Sequence, residues 1–312
     1  MSRGSRGRID LSDVLPPRLE GTVAVGGKRR LGFAEFGDPV GRPFVWLHGT
    51  PGARRQIPGE ARAYGVEHGV RIIGIDRPGI GASTPYRYPD IRAFADDLAV
   101  LADALGIDEF GAIGLSGGGP YALAAAAALP DRVPVVGVLG GVAPTHGPDA
   151  IGGGLVAVGS RLRGAIVLGR VPVGFAMAQA MRVARPIAVP AISLYARMSP
   201  PGDRALLTRP EFRAMFLDDL LHGGRSNMSA PLADVLLFTR DWGFRADDVQ
   251  AQVVWWHGDA DHIIPYNHGV HMVARLPHAE LRTLHGESHL GGLGVPEEIL
   301  TTLLERWGSR TG

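Results

Sequence analysis

A chain of 312 residues with 45% hydrophobic and 20% charged residues has the profile of an ordinary globular protein, long enough to bury a sizeable core. Its formal net charge of +1 gives no electrostatic reason for a nucleic-acid partner. The absence of cysteine excludes disulfides and thiolate catalysis.

The first 21 residues are basic and then mixed, with no apolar core of a secretory signal. The most apolar stretch, around residues 150–181, is interrupted by Arg161, Arg163 and Arg170 and falls short of the roughly 18 apolar residues a membrane span needs. A cytoplasmic chain without a membrane span is the expectation.

In chain order, residues 1–20 read as a tail. "GTVAVGG" and "RRLGFAEFG" read as two strands about a turn at Gly26-Gly27. "PFVWLHG" and "VRIIGIDRPG" are short continuous apolar runs ended by glycine or proline, which suits strands buried on both faces. Residues 53–69 between them read as a surface helix. In "DIRAFADDLAVLADALGI", Phe94, Leu98, Leu101 and Leu105 form one apolar helical stripe, and Asp90 is placed to cap its start. "FGAIGL" is a buried strand, "PYALAAAAAL" a helix and "VPVVGVLGGVAP" a further strand.

The alternation stops between residues 145 and 248, a segment of helical patches and repeated prolines, among them Pro186, Pro190, Pro200, Pro201 and Pro210. It resumes with "AQVVWWHGD" as a strand, "NHGVHMVARL" as a helix, "AELRTLHG" as a strand and "PEEILTTLLERW" as a closing helix with Pro296 at its first turn. Alternating strands and helices imply an α/β fold with a mostly parallel sheet and helices on both faces. The expected division is a core of residues 21–144 and 249–312, with residues 145–248 inserted as a helical cap after strand 6.

Gly114-Leu115-Ser116-Gly117-Gly118 fits G-x-S-x-G, set between a buried strand and a helix. A strand reversing sharply into a helix forces the serine into strained backbone geometry, and Gly114 and Gly118 keep the turn open. The hydroxyl then stands above the carboxyl end of the sheet, with a helix N-terminus behind it. A serine hydroxyl needs a base, and the base an orienting acceptor. Downstream, "WWHGDADHIIP" offers Asp259 and Asp261, and "LHGESHLGG" offers His285 and His289.

These motifs, in this order, resemble the α/β-hydrolase-fold enzymes of the Ser-His-Asp type, over nearly everything outside the tail and the insertion. The resemblance selects Asp261 as acid, through the H-G-x-x-D-x-x-x-P pattern of His257 to Pro265, and His289 as base. Asp259 and His285 are the local rivals. "WLHGTPGAR" is similar to the family's loop after the third strand, which implies an oxyanion hole from the backbone N–H groups of Thr50 and Gly117. Pro51 and Gly52 shape that loop, and His48 and Gly49 support the motif, His48 holding the loop by hydrogen bonding rather than acting as a base. "DRPGIGAS" matches the turn after the fourth strand, with Asp76 and Arg77 structural.

The implied activity is hydrolysis of a carboxylic ester or related acyl substrate, a small-molecule partner, through an acyl-enzyme, with no metal or organic cofactor. C–C bond hydrolases and perhydrolases share the triad, and a non-catalytic ligand-binding member of the fold or work at a lipid surface are the alternatives from other classes. Haloalkane dehalogenases and epoxide hydrolases carry aspartate at the elbow, unlike Ser116. Proline iminopeptidases share the "HGTPG" loop, but their elbow reads G-G-S-W-G. His268 and His271 sit three apart on a helix and read as a solvated face rather than a metal pair. Met177, Met181, Met198, Met215 and Met228, with Phe175, Tyr195, Phe212 and Phe216, either line a substrate pocket or pack the cap on the core. Neither oligomeric state nor acyl specificity is encoded in a recognisable motif.

Overall fold

A computed structural model describes residues 14–153, 194, 196–223 and 229–309. Eight strands form one sheet: β1 (Leu19–Gly26), β2 (Arg29–Gly37), β3 (Arg42–Leu47), β4 (Val70–Ile75), β5 (Gly111–Leu115), β6 (Val135–Leu139), β7 (Gln252–Gly258) and β8 (Ala279–Leu284), in the order β1-β2-β4-β3-β5-β6-β7-β8. β2 runs antiparallel to both β1 and β4, and every other pairing is parallel. The first hairpin turns at Gly26 and Gly27, both with positive φ.

The α-helices with bounds inside the described residues are α1 (Gly59–Glu67), α2 (Phe94–Ala104), α3 (Gly119–Ala128), α4 (Pro201–Thr208), α5 (Pro210–Gly223), α6 (Ser229–Phe238), α7 (Asn267–Val273) and α8 (Pro296–Gly308). Strand side chains alternate between two cores. Val45 and Leu47 of β3 join the apolar stripe Phe94, Leu98 and Leu101 of α2 and the alanine-rich α3. Phe44 and Trp46 face the other way, toward Ile57, Ala61 of α1 and Ile299, Leu300 and Leu303 of α8. Continuous apolar runs are what a sheet covered on both faces requires.

Two expectations need amending. α1 is half-buried rather than a surface helix, because Ala61 and Tyr64 pack into the second core and Arg62 is enclosed. Asp90 caps the turn that leads into α2, accepting the Ala93 N–H at 2.8 Å, one turn before the helix proper begins.

Between β6 and β7, Phe212 and Met215 of α5 pack with Leu206 of α4 against the second core, the packing alternative, whereas Met198 is exposed. Phe175, Met177, Met181, Tyr195 and Met228 lie outside the described residues, as do Arg161, Arg163, Arg170, Pro186 and Pro190. Among the described residues no helix is long and apolar enough to cross a membrane.

Candidate active site

β5 ends at Leu115, a single 3-10 turn spans Ser116–Gly118, and α3 follows at once with Pro120 in its first turn. Ser116 has φ of +51° and is the only described non-glycine residue with positive φ. Such a conformation costs on the order of 1–3 kcal/mol and persists only where surroundings over-determine it. They do so here. A side chain at Gly114 would come within 2.6 Å of the Gly118 backbone, and one at Gly118 would drive into the Leu47 carbonyl of β3. The second restriction comes from a neighbouring strand, which local sequence does not announce.

Asp261 follows β7, and His289 follows β8. His289 Nε2 lies 2.9 Å from Ser116 Oγ, and its Nδ1 lies 2.7 Å from Asp261 Oδ2. All three residues are buried to within a tenth of their surface. Asp261 Oδ1 accepts the N–H groups of Ile263 at 2.8 Å and Ile264 at 2.9 Å. Burial opposes the charge of Asp261, yet the hydrogen bonds from His257, His289 and Ile264 outweigh it and hold the carboxyl well below the usual carboxylate range.

The rivals are placed elsewhere. His285 Nδ1 pairs with Asp259 Oδ2 at 3.0 Å on the surface, the histidine side chain 85% exposed. Sequence order put four candidates within reach, and the fold separates them into one buried couple and one exposed couple.

His257 adds a participant beyond the expected three. The Trp255 indole N–H can only donate, and it reaches His257 Nδ1 at 3.1 Å. Nδ1 is therefore bare and Nε2 carries the proton, donating to the Ile264 carbonyl at 2.9 Å with Asp261 Oδ2 at 3.4 Å. The H-G-x-x-D spacing was the available signal for this residue.

The loop after β3 approaches the elbow from the side. A Cβ at Gly117 would meet the Thr50 side chain and the Phe238 ring, so Thr50 and Gly117 are neighbours. His48 donates from Nδ1 to the Gly49 carbonyl at 2.7 Å, and its Nε2 accepts the Arg77 N–H at 3.3 Å. Burial, reinforced by the Arg77 charge, pushes its pKa well down, so it is a neutral loop fastener. The Gly49 N–H donates to Gln56 Oε1 at 2.7 Å. Asp76 accepts the N–H groups of Arg54 and Ala82, both at 2.8 Å, in the structural role expected of it.

His268 corrects the sequence reading. It is fully buried, not solvated, and its Nδ1 accepts the Ala143 N–H at 3.1 Å. Burial, with His257 and His271 nearby, lowers its pKa to about 4. His271 Nε2 donates to the Asp149 carbonyl at 2.8 Å, so the two rings serve separate backbone partners. Among the described residues no three His, Cys, Asp or Glu side chains gather as a metal would require.

A sequence profile of the α/β hydrolase fold matches residues 42–157. Proline iminopeptidase from Neisseria meningitidis serogroup A is 32% identical over 124 residues, 39% of each chain, so the match spans about two fifths of that relative's length. Among solved structures, a bromoperoxidase from Bacillus anthracis superposes with a TM-score of 0.66 at 20% identity, covering 92% of this chain and 99% of that one. A thermophilic esterase from Thermogutta terrifontis gives 0.63 at 20% identity, covering 94% and 98%. The chain has the α/β-hydrolase fold.

Proposed function

We propose that the protein is a serine hydrolase acting on a carboxylic ester or related acyl substrate. The observation that carries this reading is the buried His289 ring, hydrogen-bonded on one nitrogen to Ser116 and on the other to Asp261. His289 takes the hydroxyl proton as Ser116 Oγ bonds to the carbonyl carbon. The backbone N–H groups of Thr50 and Gly117 receive the oxyanion, and Asp261 fixes the ring and stabilises its charged form. The proton passes to the leaving oxygen as the C–O bond breaks. Water, activated by the same ring, then releases the acid and restores Ser116. Residues 145–248 act as the cap over this site and set which acyl groups enter.

A fluorophosphonate probe should label wild type once, at Ser116, and Ser116→Ala should lose labelling and at least about a thousandfold in kcat. A folded Ser116→Ala with wild-type turnover sinks the mechanism. Activated esters of increasing acyl length, assayed alongside, read the size of the pocket.

A second reading has one observation in its favour, the 32% identity to proline iminopeptidases over 124 residues. Turnover of an N-terminal proline arylamide faster than any ester in the panel would select it. The G-L-S-G-G elbow argues for the ester reading.

A further inference from the structure

The loop from His48 to Gln56 presents the Thr50 N–H, and its shape depends on where its backbone groups find partners. Two of those partners are the carboxylate oxygens of Asp219 on α5, and a third, Arg77, is itself held by Asp234 on α6; both carboxylates lie more than 150 positions from the groups they hold. On one side of Thr50, Arg77 is fully buried and donates to the carbonyls of His48 and, at 2.9 Å, Gly49, and to Thr50 Oγ1 at 2.7 Å. Asp234 of α6 holds that guanidinium through Nε at 2.9 Å and Nη2 at 2.8 Å. The other Asp234 oxygen accepts the Tyr121 hydroxyl of α3 at 2.9 Å, and Thr50 Oγ1 donates toward Asp234 at 3.4 Å.

On the other side, three successive N–H groups end on buried carboxylates. Ala53 donates to Asp219 of α5 at 2.9 Å, Arg54 to Asp76 at 2.8 Å, and Arg55 to Asp219 at 3.1 Å. Asp218 beside it takes the Arg55 guanidinium at 2.9 Å. Thr50 therefore lies between two clamps, and each is anchored on a helix of the inserted segment.

We propose that Asp219 and Asp234 are positioning residues of the reaction, through which α5 and α6 fix the loop that presents the Thr50 N–H to the developing oxyanion. This rests on the serine-hydrolase reading. On this proposal the helices carrying these residues belong to the catalytic machinery and stay in place through turnover. Neither carboxylate touches substrate. A role confined to attaching the insertion would lower stability and leave the chemistry of the folded enzyme untouched. A positioning role lowers kcat and spares KM, because the oxyanion contact is made in the transition state.

The test uses the full chain with Asp219→Asn and Asp234→Asn. An asparagine keeps the shape, but its single carbonyl oxygen cannot take both N–H groups at position 219, nor neutralise Arg77 at position 234. Each purified variant is checked by circular dichroism for folding at the assay temperature. kcat and KM for p-nitrophenyl acetate are then measured at pH 8, together with the rate of fluorophosphonate labelling. The expected result is a fall in kcat of about ten- to a hundredfold, KM within about threefold of wild type, and slower labelling that still reaches one per chain.

Should Asp234→Asn fail to fold, Thr50→Val removes the hydroxyl link to Arg77 and Asp234 and leaves no charge unpaired; a kcat loss of several-fold at constant KM is expected. Wild-type kcat in folded Asp219→Asn and in folded Asp234→Asn or Thr50→Val overturns the proposal. If wild type itself is neither labelled at Ser116 nor active on any ester, it is the serine-hydrolase reading that fails.

Discussion

At the scale of single residues, the acid of the site is more heavily bonded than a three-membered description implies. Asp261 faces His289, His257 and two backbone N–H groups, and the Trp255 indole dictates which His257 nitrogen carries the proton. Each donor shares the carboxylate's charge and so leaves less of it to stabilise a protonated His289. In His257→Phe one donor is gone, and the Asp261 carboxyl, no longer held down by that hydrogen bond, should titrate at higher pH than in wild type, as NMR of the labelled carboxyl carbon would read. The same variant strands the Trp255 N–H and the Ile264 carbonyl, at a cost of about 1–3 kcal/mol that a denaturant titration would read. A carboxyl that titrates no higher in the variant would mean His257 does not act on the acid in this way.

At the scale of elements, the elbow is the join that local sequence describes best and neighbouring strands enforce. Gly118→Ala puts a methyl group into the Leu47 carbonyl of β3. The substitution should remove about 3 kcal/mol or more from stability, visible as a lowered urea midpoint; an unshifted midpoint would show that β3 can yield. The strands and helices of the core were legible because their patterns are local: apolar runs for β3 to β7, a 3.6-residue stripe for α2, glycine and proline at the joins. So were Ser116, Asp261 and His289, since each stands in a short motif at a strand end and chain order sorts them.

The clamps on the His48–Gln56 loop were not legible. A carboxylate on a helix, such as Asp219 or Asp234, reads as a solvated face until the fold brings a backbone N–H or a buried guanidinium against it. Their partners lie 166 and 157 residues away. His268 was misread for the same reason: its residue type favours the surface, and the packing of α7 against the strand ends decided otherwise.

For the whole molecule, burying acidic groups from one segment against another ties stability to pH. Burial first, then the charge of Asp76 and less strongly that of Asp218, push Asp219 up to about 7, although the Ala53 and Arg55 N–H groups pull the other way. Unfolded, the group titrates near 3.8. Between about pH 4 and 7 the folded chain thus binds more protons at this position than the unfolded one, so its contribution to stability falls as pH rises through that window and is level outside it. Asp219→Asn has no such slope. The Tm of wild type relative to Asp219→Asn should be higher at pH 5 than at pH 8, by calorimetry or thermal fluorescence; a difference that grows with pH would refute the assignment.

The strand order has a consequence for synthesis. The nucleophile leaves β5 near the middle of the sheet, while its base hangs beyond β8 at the far edge, 173 positions later in the chain. A ribosome that has delivered the first six strands has made the elbow sequence and not yet the ring proposed to deprotonate it. On the mechanism proposed above, the nascent chain can turn over no substrate until the segment beyond β8 has docked, and its first turnover would report that this edge of the sheet is in place.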